Sequence, residues 1–114
     1  NSVKVLYLDR DALLKHLCEI ARDIKTQHPE VRSISLFGSL ARGDYTAISD
    51  VDILITLHHS KEKDPHQRIL TFLPYFDLER GVDLLVYTQE EVERRLSEGD
   101  PFLQRIQREG IALS

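Results

Sequence analysis

Residues Gly38 to Asp52 read GSLARGDYTAISDVD. A Gly-Ser pair is followed, after ten residues, by Asp-x-Asp. Upstream, Ser33 to Phe37 (SISLF) has the composition of a short strand, and downstream Asp50 to Leu57 (DVDILITL) reads as a second. A turn of small residues therefore joins two strands, with Asp50 and Asp52 opening the second. On a strand, positions i and i+2 share a face, roughly 6.5 to 7 Å apart. Two carboxylates on one face, opposed by a glycine turn, are suited to a divalent metal and a phosphate.

The full string is Gly38, Ser39, Ala41, Arg42, Gly43, Ser49, Asp50, Asp52 and Ile53. It resembles the signature of the DNA polymerase β-type nucleotidyltransferase superfamily. Within that superfamily it is similar to the small stand-alone branch, the minimal nucleotidyltransferases (MNT), many of which are antitoxins encoded beside a helical HEPN toxin. The plainer reading is a Gly-Ser turn with surface aspartates capping a strand. It leaves unexplained why aspartates, poor strand formers, begin the most apolar strand of the chain.

The 114 residues suffice for one core, so a single domain over 1–114 is expected. Hydrophobic residues make up 41% and charged residues 30%, a globular balance. No apolar run approaches the ~20 residues of a membrane span. The opening NSVKVLYLD lacks the apolar stretch and cleavage site of a signal peptide. A single cysteine, Cys18, excludes an internal disulfide and fits a reducing cytoplasm. A net charge of −4 argues against long DNA or RNA as substrate, because gripping that backbone calls for a basic surface.

Outward from the central stretch, Leu13, Leu14, Leu17, Ile20, Ala21 and Ile24 follow helical spacing. They predict an amphipathic helix from Ala12 to about Lys25, capped by Asp9 or Asp11 and closed by His28-Pro29. Ser39 to Arg42 reads as a short helical turn whose leading amides suit an anion. Val51, Ile53, Ile55 and Leu57 share one strand face, and Asp50, Asp52, Leu54 and Thr56 the other. The segment from His58 to His66 is a charged loop, and its histidines do not have the arrangement of a zinc site. Asp64-Pro65 starts a helix carrying Ile69, Leu70, Phe72 and Leu73, which Pro74 kinks or ends. Val82 to Tyr87 is a third strand, with Asp83 on the face opposite Val82, Leu84 and Val86. Thr88 and Glu91 form a capping box for a helix to about Ser97, which Gly99 stops. Asp100-Pro101 starts a last helix through Arg108, with Phe102, Leu103 and Ile106 as core or as an interface for a homo- or hetero-oligomer. Gly110 ends it, and Ile111 to Leu113 adds a short edge strand. The order α-β-(short α)-β-α-β-α-α-β predicts an α/β (α+β) domain, a small mixed sheet flanked by helices, and the resemblance makes it the nucleotidyltransferase fold.

If the second and third strands are neighbours, Asp50, Asp52 and Asp83 meet in one anionic pocket. Oxygen ligands of this kind suit Mg²⁺, which keeps waters and takes substrate phosphates as further ligands. The resemblance implies two Mg²⁺ ions, with Asp50 and Asp52 on both and Asp83 on the ion that activates the attacking hydroxyl. It implies that Gly38 and Ser39 approach the β- and γ-phosphates of ATP. Arg42 either pairs with phosphate or sits exposed after the turn. Ser49 orients Asp50 or its loop. Lys61 and Lys63 read as a solvated charge run rather than phosphate ligands.

The implied reaction is transfer of AMP from ATP to a hydroxyl. This chain lacks the usual helical acceptor domain, so the acceptor belongs to another molecule. The MNT resemblance makes it a tyrosine of a HEPN-type partner. Two other readings stand beside it: an idle antitoxin that neutralises its partner by contact, and an enzyme acting on a small hydroxylated molecule.

Overall fold

The structure, a computed structural model, describes residues 8–114. The reading of the first residues as lacking a leader lies outside the described residues. Helix α1 (Arg10–Gln27) begins where Asp9 accepts a hydrogen bond from the Ala12 amide at 3.0 Å, and ends at His28. Leu17, Ile20, Ala21 and Ile24 line its buried face, as the spacing predicts. The chain continues through β1 (Val31–Phe37), α2 (Ser39–Arg42), β2 (Val51–Leu57) and α3 (Pro65–Phe72). A 3₁₀ turn (Leu73–Tyr75), β3 (Val82–Thr88), α4 (Gln89–Ser97), α5 (Pro101–Glu109) and β4 (Ile111–Ala112) complete it.

The element order is the predicted one, and the boundaries move by a residue or two. The first strand starts at Val31 rather than Ser33, and the second at Val51, which leaves Asp50 just ahead of the strand. The four strands lie in the order β3-β2-β1-β4. β1 runs antiparallel to β2 and to β4, whereas β2 and β3 are parallel, so the sheet is mixed. The parallel step requires a crossover, which the loop after β2 and helix α3 provide.

Each sheet face has its own apolar layer. On one, Val51, Ile53, Ile55 and Leu57 of β2 pack with Ile34 and Leu36 of β1, with α1 and with Phe72 and Phe76. On the other, Leu54 packs with Leu103 and Ile106 of α5, flanked by Phe37, Leu85, Tyr87 and Leu96. Full burial of each aliphatic side chain stabilises by about 1.5–3 kcal/mol. Leu103 and Ile106 are thus core residues, while Phe102 keeps 44% of its surface exposed.

Of the apolar residues expected on α3, Phe72 is buried and Ile69 packs against the core. Leu70 and Leu73 are 65% and 40% exposed, whereas Arg68 is only 4% exposed and lies on the buried side with Phe72. The reason is ionic. The Arg68 guanidinium donates to both oxygens of Glu91 at 2.6 and 3.3 Å, and to the carbonyls of Glu62 (2.8 Å) and Val86 (3.3 Å). A fully paired arginine can be buried where a solitary one cannot. Glu91 also accepts from the Thr88 amide at 2.8 Å, closing the predicted capping box of α4.

Candidate active site

The site lies where β1 ends and where β2 and β3 begin. Phe37 of β1 is the register partner of Asp52, and Asp52 is the register partner of Asp83. Residues paired in this way point to the same face, on strands ~4.8 Å apart. Phe37, Asp52 and Asp83 therefore form a row across three strands, on the face that also carries Leu54 and Thr56. Helices α4 and α5 cover the far part of that face. The aspartate end is left open, with Asp83 exposed and Asp52 half-buried.

Gly38 makes the turn possible in two ways. Its backbone has φ 75° and ψ −159°, a region that is essentially restricted to glycine. It also lies against Asp52, so that a methyl group added at Gly38 would overlap the Asp52 carboxylate. The carbonyl of Gly38 accepts from the amides of Ala41 (3.1 Å) and Arg42 (3.0 Å), which closes α2. No side chain caps the start of this turn, so its leading amides are not taken by the protein's own side chains. Gly38→Ala is expected to destabilise the fold by roughly 1–3 kcal/mol from backbone strain alone. Differential scanning fluorimetry reads this as a fall of about 4–8 °C per kcal/mol.

Asp50 is held differently. Its carboxylate lies over Gly81, where a methyl group would again collide with it. The Gly81 carbonyl also accepts from the Val51 amide at 2.9 Å. Arg80 donates to the carbonyls of Ala47 (3.3 Å) and Ser49 (2.8 Å), and so fixes the loop leading into Asp50. Ser49 staples the same loop by accepting from the Thr46 amide at 2.8 Å. On the other side, Arg10 donates to the carbonyls of Leu40 (2.8 Å) and Ala41 (3.4 Å), securing α2. Arg10, Arg80 and Gly81 are supporting residues that sequence reasoning missed. Isolated arginines carry no periodic signal, and the Asp50–Gly81 contact exists only once β3 has docked.

The carboxylates repel one another. The pKa of Asp52 is pushed up to about 6, chiefly by burial. The Asp83 charge and a hydrogen bond with Asp83 raise it further, as does the Asp50 charge, and Arg42 opposes them. Asp50 leans toward Gly81, whereas Asp52 lies against Gly38 and within hydrogen-bonding reach of Asp83. Among the described residues, no three His, Cys, Asp or Glu side chains close around a metal ion by themselves. The donor set nonetheless fits Mg²⁺, which binds through one or two carboxylates and completes its shell with water and substrate phosphates. A cation there would also offset the repulsion among the carboxylates.

The remaining candidates are placed as follows. Ser39 opens α2. Arg42 lies between two acids, with Nε 3.2 Å from Asp44 and Nη1 3.7 Å from Glu109 of α5. Lys61 and Lys63 follow the opposite end of β2, ~20 Å along the strand from the aspartates. Tyr45 packs against the main core, with Arg10 5.9 Å above its ring.

This arrangement has relatives. The sequence profile of the nucleotidyltransferase domain matches residues 17–113. A Methanocaldococcus jannaschii protein with the provisional name protein adenylyltransferase is 31% identical over 77 residues, which cover 68% of this chain and 73% of the relative. A crystal structure from Sulfolobus solfataricus, provisionally named a nucleotidyltransferase, is 30% identical, with a TM-score of 0.62 over 75% of each chain. The crystal structure of a toxin–antitoxin with AMP-PNP shares the fold at 20% identity and a TM-score of 0.52, over 94% of this chain and 73% of that one. The profile match over most of the chain, together with the identity to the archaeal relative, shows that the chain belongs to the nucleotidyltransferase domain family and is a nucleotidyltransferase.

Proposed function

We propose that this protein is a single-domain, Mg²⁺-dependent enzyme that transfers AMP from ATP to a hydroxyl of a partner protein, and that the acceptor is a tyrosine of a HEPN-type helical toxin. The observation that carries the reading is the row of Asp52 and Asp83 on adjacent parallel strands, with Asp50 just ahead of it and the Gly38 turn against it. In this reading Asp50, Asp52 and Asp83 hold the metal, and Gly38, Ser39 and Arg42 receive the β- and γ-phosphates. Bound divalent cations supply charge neutralisation at the phosphates and acidify the attacking hydroxyl.

The chain's own part is positioning. The Gly38 turn brings backbone close to a phosphate without a side chain in the way. Arg80 and Arg10 fix the loops on either side, which keeps the reacting groups in register. Asp83, exposed at the margin of the row, is placed to accept the proton of an incoming hydroxyl. The name of the M. jannaschii relative supports a protein acceptor, and the fold likeness to a toxin–antitoxin crystallised with AMP-PNP supports a toxin partner and an adenine nucleotide.

The test is to incubate the protein with labelled ATP, Mg²⁺ and the product of the neighbouring gene. Label from the α-phosphate on a partner tyrosine, with pyrophosphate released and with no labelling when EDTA is present from the start, is the expected result. Tight association without any label, and neutralisation that survives Asp50→Asn with Asp52→Asn, would instead establish the contact-only reading.

A further inference from the structure

We propose that Arg105 on α5 is a further phosphate-binding residue, which grips the far end of the nucleoside triphosphate together with Arg42. The inference rests on the nucleotide-transfer reading above and extends its site onto a helix that the signature stretch does not include.

A cleft of about 110 Å³ opens beside the acid row. Gly38, Phe37 and Phe102 line it, and Arg42, Arg105 and Glu109 supply its charges. It begins where the row ends, because Phe37 is the register partner of Asp52 and Gly38 backs the Asp52 carboxylate. The two aromatic rings meet edge to face, with centroids 5.6 Å apart and planes at 87°. The two rings give the cleft an apolar side, opposite in character to its charged residues.

The two arginines are in different states. Arg42 is engaged by Asp44 and by Glu109. Arg105 is exposed, and it takes no part in the ion pairs that engage Arg42, Arg68 and Arg95 among the described residues. A guanidinium that lines a cleft, with no ion-pair partner among the described residues, offers a planar fork of donors that matches a phosphate. The cleft lining holds two arginines against one glutamate, next to three aspartates. A polyphosphate suits that polarity, with its inner phosphates by the cation-binding acids and its outer phosphate at the arginines. Glu109 works against it. Its carboxylate repels an incoming phosphate and occupies Arg42, so Glu109 acts as a brake on affinity.

Binding of AMP-PNP and of AMP, each with Mg²⁺, can be measured by calorimetry for the wild type and for Arg105→Gln, Arg105→Lys and Glu109→Gln. Melting curves would first establish that each variant folds. Arg105→Gln is expected to weaken AMP-PNP about tenfold or more, the worth of one charge-assisted contact, while AMP stays within about twofold. Arg105→Lys should fall between, since it keeps the charge and loses the fork. Glu109→Gln should tighten AMP-PNP several-fold, and the gain should shrink in high salt. If Arg105→Gln binds AMP-PNP like the wild type, the inference is wrong. Equal weakening of AMP and AMP-PNP also overturns it, because the cleft would then hold the nucleoside. Failure of the wild type to bind either nucleotide would defeat the nucleotide-transfer reading itself, a result distinct from both.

Discussion

Asp52→Asn is expected to reduce nucleotidyl transfer by about a thousandfold or more, and at the same time to raise the melting temperature of the metal-free protein at pH 7. The two effects have one cause. Asp52 is half-buried in a row of like charges, and burial first, then Asp83 and Asp50, push its pKa up to about 6 from an ordinary 3.8. At neutral pH the folded protein therefore carries a charge that its surroundings disfavour. Asparagine keeps the shape and removes the charge. It also removes a metal ligand, whose charge stabilisation is worth several kcal/mol at the transition state, and about 1.4 kcal/mol is tenfold in rate.

The sign of the pH dependence follows from linkage. Between pH ~4 and ~6 the folded state holds more protons at Asp52 than the unfolded state does, so this residue makes stability fall as pH rises. In EDTA, the difference in melting temperature between Asp52→Asn and wild type should be largest above pH ~6 and vanish near pH ~4. Parallel curves would show that Asp52 titrates normally. Adding Mg²⁺ should stabilise the wild type in proportion to its binding and leave the variant unmoved.

Loss of Glu91 should strongly reduce stability. Glu91→Ala removes the partner of a guanidinium whose side chain is only 3% exposed, and breaking such a buried pair costs about 3–5 kcal/mol. It also opens the capping box of α4, worth about a further 1 kcal/mol. Against a domain stability of about 5–15 kcal/mol, chemical denaturation should show the midpoint fall steeply or the variant fail to fold. Arg68→Met with Glu91→Leu, which leaves no unpaired charge, should recover much of the loss. If the single variant is no worse than the double, the pair carries little. Burial alone would raise the Glu91 pKa, but the hydrogen bonds from Arg68 and from the Thr88 amide outweigh it and lower the pKa below 4.5. Its contribution is thus present above pH ~4.5 and lost as pH falls through the lowered value, opposite in direction to Asp52.

These two acids mark what the sequence could and could not reveal. Asp52 was legible because it breaks a local rule: an aspartate inside an apolar strand, at a fixed distance from a Gly-Ser turn. The capping role of Glu91 was legible because Thr88 lies three residues away. Its bond to Arg68 was not, because that pair spans 23 positions and joins two helices. For the same reason the apolar residues of α3 give only half of its buried side: Phe72 and Ile69 pack on the core, whereas Leu70 and Leu73 are exposed and Arg68 is buried with its distant glutamate. Strand adjacency was inferred only as a condition, and the Asp52–Asp83 register supplies it. The splay of Asp50 toward Gly81 depends on backbone that the strand periodicity places too regularly.

The place of β3 in the sheet gives Arg68 a second meaning. β3 is an outer strand, seven residues long, and mostly apolar. Such a strand is a template on which a further copy of the chain can add itself. Arg68 engages the Val86 carbonyl on that strand while it anchors α3 beside it. The buried cation therefore occupies one backbone acceptor of the outer strand, which a strand added from another chain would otherwise use, as well as supporting the fold.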